Sequence, residues 1–300
     1  MTLYFNNNVD ISKLHIVTVA TESKYYFPYL QESCRRNGKE LEVLGMGEKW
    51  EGFNWKFKKM IDYLEGLPQD DIVCFVDGYD VLCVRDLHEL IPSFFEIEER
   101  EGCKMVVAED KLTWINKFAV ELYFGKCKNM SINSGTYIGT AINLLKIIKK
   151  IYKINPNNDA DDQFLMTTYC NYNPNDVYID ANNYFFVVLS DANSFNKNLC
   201  AYISFEHNNK ITYKNKSPFF LHAPGSGNLD DIVKKLGYDE NCNIFESDNT
   251  YNPFYKYSFS YKNKFAVFFV FTIIIIIVVV IIFLYSLYIS MNGKNKKIFF

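Results

Sequence analysis

An α/β fold built on a mostly parallel sheet flanked by helices, with one transmembrane helix near the C-terminus, is what this 300-residue sequence predicts. Three observations carry that prediction. Short β-branched runs alternate with helical patterns through the first part of the chain, the strand–helix–strand order of a doubly wound sheet. One of those runs, Ile72-Val-Cys-Phe-Val76, is apolar at every position, as a strand buried on both faces must be. Near the other end, residues 265–289 form an uncharged stretch centred on Ile273–Ile282, longer than the roughly 20 apolar residues needed to cross a bilayer core.

In order along the chain, His15–Thr21 reads as a first strand and Tyr25–Asn37 as a helix ending at Gly38. Leu41–Met46 is a second strand, followed by a loop through Trp50. Trp55–Leu64 is helical and stops before Gly66 and Pro68. The strand at 72–76 ends in Asp77-Gly-Tyr-Asp80. Leu87–Arg100 is helical with a break or restart at Pro92, and Lys104–Glu109 is a strand. Ser131–Gly139 turns into a β-stretch that leads to a helix over Leu144–Tyr152. An acidic loop, Asn155–Asp162, precedes a helix over Gln163–Cys170 and a short strand, Asp176–Asp180. The last strand, Pro218–His222, runs into a glycine-bearing loop and a helix over Leu229–Leu236. The resulting organisation is a polar lead-in (1–11), a folded domain (12–240), a tether (241–264) rich in Asn, Ser, Tyr and Lys, a transmembrane helix (265–289) and a short basic tail (290–300).

Composition narrows the function classes. A net charge of −3 leaves no basic footprint for nucleic acid, while 49% hydrophobic residues suffice for a substantial core. The eight cysteines are dispersed without a C-x-x-C pair, so neither a zinc site nor a disulfide framework is predicted. Met1–Asp10 lacks a basic segment followed by an apolar run, so no secretory signal is predicted either.

Asp77 and Asp80 lie just past the C-terminal end of a strand, where open α/β sheets bind ligands. Gly78 permits a tight turn that brings the two carboxylates together. Two readings stand at this point: a carboxylate anchor for Mn²⁺ or Mg²⁺ carrying a diphosphate, or a solvated turn. His222 ends another strand, and an imidazole nitrogen beside two carboxylates makes a mixed site suited to Mn²⁺; a histidine satisfied by backbone groups is the plainer reading. The acids Asp159, Asp161 and Asp162 are either a third part of one site or a solvated loop.

Taken together, Val17-Thr-Val-Ala-Thr21, Leu44-Gly-Met-Gly-Glu-Lys-Trp50, Phe75-Val-Asp-Gly-Tyr-Asp-Val81, Asn133-Ser-Gly-Thr-Tyr-Ile-Gly139, Asp161-Asp-Gln-Phe164, Ile179-Asp180 and Leu221-His-Ala-Pro-Gly225 resemble the glycosyltransferase domain of the procollagen lysyl hydroxylase/glucosyltransferase (PLOD-type) family. The resemblance spans about 14–240. It implies a Rossmann-like GT-A fold that binds a UDP-sugar with Mn²⁺ or Mg²⁺. By the same resemblance, Asp77, Asp80 and His222 hold the metal, and Thr18, Trp50, Tyr79 and Gly225 belong to the nucleotide site. Lys56 reaches the diphosphate, Asp161 and Asp162 lie at the sugar, and Trp114 and Asn133 lie on the acceptor side. The implied reaction moves glucose or galactose from UDP-glucose or UDP-galactose to a hydroxyl acceptor, with galactosylhydroxylysine of a collagen-like protein as the lead.

The sequence departs from the family where it has Asn228 in place of a phosphate-contacting lysine, and in the divergent stretch between Asp80 and Asn133. None of the four histidines starts an H-x-D, so the iron site of the hydroxylase half has no counterpart here. Asn228 keeps a second reading open, a non-catalytic sugar- or nucleotide-binding module tethered to a bilayer. A phosphohydrolase using Asp77 fits poorly, because neither Gly78 nor Tyr79 supplies its second acid. The family works in the lumen of the endoplasmic reticulum, which implies a single-pass protein of that membrane. The side occupied by the domain stays open: a C-terminal anchor without a signal points to the cytosol, whereas the sequons Asn129-Met-Ser131 and Asn215-Lys-Ser217 are usable only in the lumen.

Overall fold

The computed structural model describes residues 10–112, 114–190, 203–206, 211–224, 227–244 and 264–294. The chain divides into two compact units, Met1–Asp248 and Asn249–Phe300. In the first unit the strands are β1 (Leu14–Val19), β2 (Leu41–Leu44), β3 (Ile72–Val76), β4 (Val81–Cys83), β5 (Met105–Glu109), β6 (Ile132–Thr140), β7 (Val177–Asp180), β8 (Phe186–Val188), β9 (Ser204–Phe205), β10 (Ile211–Thr212) and β11 (Phe220–His222). Its helices are α1 (Phe27–Arg36), α2 (Trp55–Leu64), α3 (Leu90–Glu101), α4 (Trp114–Phe124), α5 (Ala141–Ile154), α6 (Asp162–Tyr172) and α7 (Asp230–Lys235).

The main sheet has the order β2-β1-β3-β6-β5-β7. Every neighbouring pair is parallel except those made by β6, which runs antiparallel to both β3 and β5. This is the expected mostly parallel α/β architecture. Its core follows from the two-residue period of a strand. Leu14, Ile16, Ile72, Cys74, Val76, Val106 and Ala108 face one layer, where Phe27 and Leu30 of α1 and Leu90 and Phe94 of α3 cover them. Val17, Val19, Val73, Phe75, Met105 and Val107 face the other, beneath Trp55 and Met60 of α2, Leu144 and Ile148 of α5 and Leu165 and Tyr169 of α6. Both faces being covered explains why the central strands lack polar alternation.

A second sheet, β4-β11-β8, escaped the sequence reading in two of its three strands. β11 pairs antiparallel with β4 and parallel with β8. Three-residue strands buried on both faces show no period to detect. Leu82, Val187 and Leu221 from this sheet pack with Tyr26, Leu229, Ile232 and Val233 in a third apolar cluster. α4 was also missed.

One local expectation is corrected, and the need for glycine at one turn is explained. α3 is not interrupted at Pro92 but starts two residues before it, so the missing proline N–H belongs to a first turn whose amides have no intrahelical acceptor anyway. Gly78 does not adopt a left-handed conformation; a Cβ there would press on Thr18 Oγ1, 3.0 Å away, and on Ala20 Cβ, so close approach to β1 is what calls for glycine. In the second unit the apolar segment forms one long helix, α8 (Lys264–Lys294). Its window Thr272–Ile289 is long and apolar enough to cross a bilayer and has no buried residues. Most of the predicted tether, from 245 to 263, lies outside the described residues.

Candidate metal centre and its surroundings

The site is assembled by the ladder of the small sheet. β3 ends at Val76, and Asp77 follows it with its amide donating to the Gly135 carbonyl at 2.8 Å. Asp80 immediately precedes β4. Because His222 pairs in register with Val81, and the Ala223 amide donates to the Asp80 carbonyl at 2.9 Å, the imidazole is placed beside the Asp80 carboxylate. Each of Asp77, Asp80 and His222 offers one ligand atom, and these atoms lie within 4.8 Å of one another. His222 Nε2 is 3.2 Å from Asp80 Oδ1 and 3.9 Å from Asp77 Oδ2.

The charge balance of this cluster invites a cation. The His222 ring is wholly buried, and neither of its nitrogens makes a hydrogen bond within the chain; its approach to Asp80 is a charge contact without hydrogen-bond alignment. Burial pushes the imidazole pKa down, but Asp80 and Asp77 outweigh it and hold the ring above its ordinary value. Burial also raises the Asp77 carboxyl against the pull of Lys56, with Asp80 adding to the rise. A buried imidazole without hydrogen bonds beside two carboxylates fits a divalent cation with mixed oxygen and nitrogen ligands. Gly135 makes room for it: a Cβ at that position would overlap both Asp77 Oδ2 and His222 Cε1. Asn133 supports the same stretch of β6, its Oδ1 accepting from the Gly135 amide at 3.0 Å.

Lys56 joins this centre to the acidic loop. It sits in the first turn of α2, only 6% exposed, and its Nζ lies 2.8 Å from Asp77 Oδ1 and 2.7 Å from Asp162 Oδ2. A cation at a helix N-terminus opposes the helix dipole, and the two carboxylates offset that cost. They also overcome burial and raise the lysine pKa, Asp162 contributing most. The α2 start is anchored on the loop before α6: the Asn54 amide donates to the Asn158 carbonyl at 3.0 Å, and its Nδ2 donates to the carbonyls of Asn155 at 2.7 Å and Asn157 at 3.0 Å. Asp161 N-caps α6, accepting from the Phe164 amide at 2.8 Å. Burial, reinforced by Asp162, lifts its carboxyl to about 6. The acids at 161 and 162 are therefore structured parts of one polar network, and Lys56 is the link that sequence spacing did not disclose.

The remaining predicted residues are distributed unevenly. Thr18 is fully buried beneath Gly78, and its hydroxyl has no hydrogen-bond partner in the chain. Trp50 is 39% exposed and meets Phe53 and Trp55 edge-on. The Tyr79 hydroxyl accepts from the Thr21 amide at 3.0 Å, and its ring packs on Tyr25 and Phe27. Trp114 opens α4, well separated in sequence from the triad. Gly225 lies outside the described residues. Asp180, quoted above only as part of a motif, accepts from the Tyr184, Phe185 and Phe186 amides at 2.8–3.0 Å and so shapes the approach to β8. One expectation was wrong: Cys127 and Cys170 form a disulfide across 43 residues, invisible in their spacing because α6 and the loop before β6 meet only in three dimensions.

A family model described as the PLOD GT domain matches residues 10–255. Curated relatives include the multifunctional procollagen lysine hydroxylase and glycosyltransferase of Caenorhabditis elegans, 30% identical over 173 residues. The human protein named LH3, of the same description, is 30% identical over 175 residues. Each alignment covers 53% of this chain and 22% of the relative, so the chain spans about a fifth of those proteins. Among solved structures, a glycosyltransferase involved in glycosylation of the major capsid of PBCV-1 has a TM-score of 0.47 at 13% identity, covering 71% of this chain and 93% of that one. The galactosyltransferase LgtC has a TM-score of 0.41 at 13% identity, covering 70% and 88%. On the match from 10 to 255, the chain belongs to the family of PLOD glycosyltransferase domains.

Proposed function

We propose that this glycosyltransferase is metal-dependent and moves glucose or galactose from UDP-glucose or UDP-galactose to a hydroxyl group. The observation that carries the proposal is the buried Asp77–Asp80–His222 cluster with its Lys56 link to Asp162. Mn²⁺, or Mg²⁺, held by the three residues would act as a Lewis acid toward the charge that develops on the departing diphosphate. Around it, Tyr79, Trp50 and Thr18 belong to the uridine side, together with Gly225. Lys56 offers a positive charge to the diphosphate while its ammonium lies against the Asp77 and Asp162 carboxylates. Asp162 and Asp161 face the sugar, where a carboxylate can orient the donor or stabilise a cationic transition state. Trp114 and Asn133 are assigned to the acceptor side.

The names of the relatives, procollagen lysine hydroxylases and glycosyltransferases, support a collagen-like protein carrying galactosylhydroxylysine as the acceptor. The domain is taken to run from 12 to 240, with α8 anchoring the protein in the membrane of the endoplasmic reticulum. Purified protein incubated with UDP-glucose or UDP-galactose and Mn²⁺ should release UDP, faster with a galactosylhydroxylysine peptide. Asp162→Asn should reduce that turnover by orders of magnitude. Failure of both donors in the presence of Mn²⁺ would refute the reading.

One observation favours a second reading. Asn228 Oδ1 accepts from the Asp230 amide at 2.9 Å, so the side chain braces the start of α7 instead of offering a cation to a phosphate. A non-catalytic module that binds sugar nucleotide accommodates this. UDP binding of normal strength without turnover on either donor would support that reading over the first.

A further inference from the structure

We infer that Asn129, at the tip of a hairpin stapled to α6 by the Cys127–Cys170 disulfide, is a site of N-linked glycosylation. The inference does not rest on the transferase reading. Cys127 and Cys170 are bonded with Cα atoms 6.0 Å apart, and both residues are buried. Disulfides of this structural kind persist in oxidising compartments and are rare where thiol buffers keep cysteines reduced. The bond ties the last turn of α6, whose N-terminus carries Asp161 and Asp162, to the loop that leads into β6 and Gly135. The other cysteines among the described residues, Cys34, Cys74, Cys83, Cys103 and Cys242, are free and buried. Burial lifts the Cys103 and Cys242 thiols to about 11 each, and raises Cys74. Such thiols are protected from adventitious oxidation in the same compartment.

The second observation lies two residues beyond the first cysteine. Cys127 and Met130 exchange backbone hydrogen bonds at 3.0 and 2.9 Å, closing a two-residue hairpin with Lys128 at φ 51° and Asn129 at φ 61°. Asn129 is exposed at the tip. Asparagine suits that left-handed position on conformational grounds alone. Ser131 is different: it is 3% exposed and its hydroxyl makes no hydrogen bond within the chain. A buried hydroxyl without a partner costs about 1–3 kcal/mol, so the fold gives no reason for serine there. Completing the acceptor sequence Asn129-Met-Ser131 does. Asn215 occupies the equivalent position of a second hairpin, Tyr213–Lys216, with φ 63°. Its serine, Ser217, is followed by Pro218, which makes it the poorer acceptor and a useful control.

The test is made on the full chain, with nothing added to its N-terminus, expressed in eukaryotic cells. Treatment with an amidase that strips N-linked glycans should lower the mass by one glycan. Asn129→Asp, which keeps a residue at ease in the left-handed turn, and Ser131→Ala should each lack that glycan; Asn215→Asp should retain it. Maleimide labelling of the denatured protein should count two more thiols after reduction than before. An unchanged mass after deglycosylation, or equal thiol counts with and without reductant, would overturn the inference. Neither readout involves sugar transfer, so a failed transferase assay leaves both interpretable.

Discussion

Replacing Lys56 with methionine isolates the interaction that joins the metal residues to the sugar-side acids. Methionine fills nearly the same volume beside the Phe53 and Phe75 rings but removes the charge between Asp77 and Asp162, at 2.8 and 2.7 Å. Both the Lys56 and Asp162 side chains are almost fully buried, at 7% and 8% exposure, so screening by solvent does little to spare the Asp162 carboxylate left behind. Removing one partner of a buried ion pair costs about 3–5 kcal/mol. In a domain of this size each kcal/mol lowers the melting temperature by about 2–4 °C, so Lys56→Met should melt about 6–20 °C lower than the parent protein. Burial holds the Asp77 carboxyl above its ordinary value even against the pull of Lys56, and without that pull it accepts a proton more readily, so the difference should narrow as pH falls from 8 to 5. Asp162→Asn in the same chain should restore part of the loss, and Mn²⁺ should restore part as well, because it replaces the missing positive charge. Differential scanning fluorimetry across that pH range measures all of this. A melting temperature within 2 °C of the parent at pH 8 would refute the claim that Lys56 is the electrostatic centre of the site.

Other perturbations test the neighbouring parts. Gly135→Ala inserts a Cβ that overlaps Asp77 and His222; overpacking of this kind costs about 1–3 kcal/mol, so Mn²⁺ affinity by titration should fall by roughly 5- to 150-fold with the circular-dichroism spectrum unchanged. Asp161 has a folded-state pKa near 6, above the ordinary 3.8, so the folded state holds the proton longer than the unfolded one. Its contribution to stability is therefore greatest below about pH 4 and declines as pH rises through 6. Turnover should rise over the same interval as the carboxylate ionises. Asp161→Asn keeps the helix cap, since asparagine caps as well as aspartate, and should flatten both profiles.

The sheet was largely legible because its signals are local. β3 and α2 stand where apolar runs and helical spacing put them, and the turn after β3 carries its acids in plain view. What stayed hidden is the part made by long-range pairing. β4 and β8 are three-residue strands without period, yet the register that sets His222 against Val81 is what brings the histidine to Asp80. Lys56 read as a phosphate contact by resemblance; its bridge from Asp77 to Asp162 depends on how α2 docks against the loop 155–161, through Asn54. Gly135 was quoted only within a motif, because the need for glycine arises from side chains distant in sequence. Cys127 and Cys170 give no signal until α6 packs against the loop before β6. Short, buried and long-range features carry the site, and those are the features for which single-sequence patterns are weakest.

Asp77, Asp80 and His222 are proposed to form a divalent-cation site on which a uridine diphosphate group is held. Isothermal titration of UDP into the purified protein, with Mn²⁺ and then with a chelator, tests it most directly. Saturable binding with Mn²⁺, loss of binding with chelator, and loss of the metal-dependent heat in Asp80→Asn and His222→Ala are the expected results. UDP binding of equal strength with and without metal, or unaltered in both variants, would contradict it.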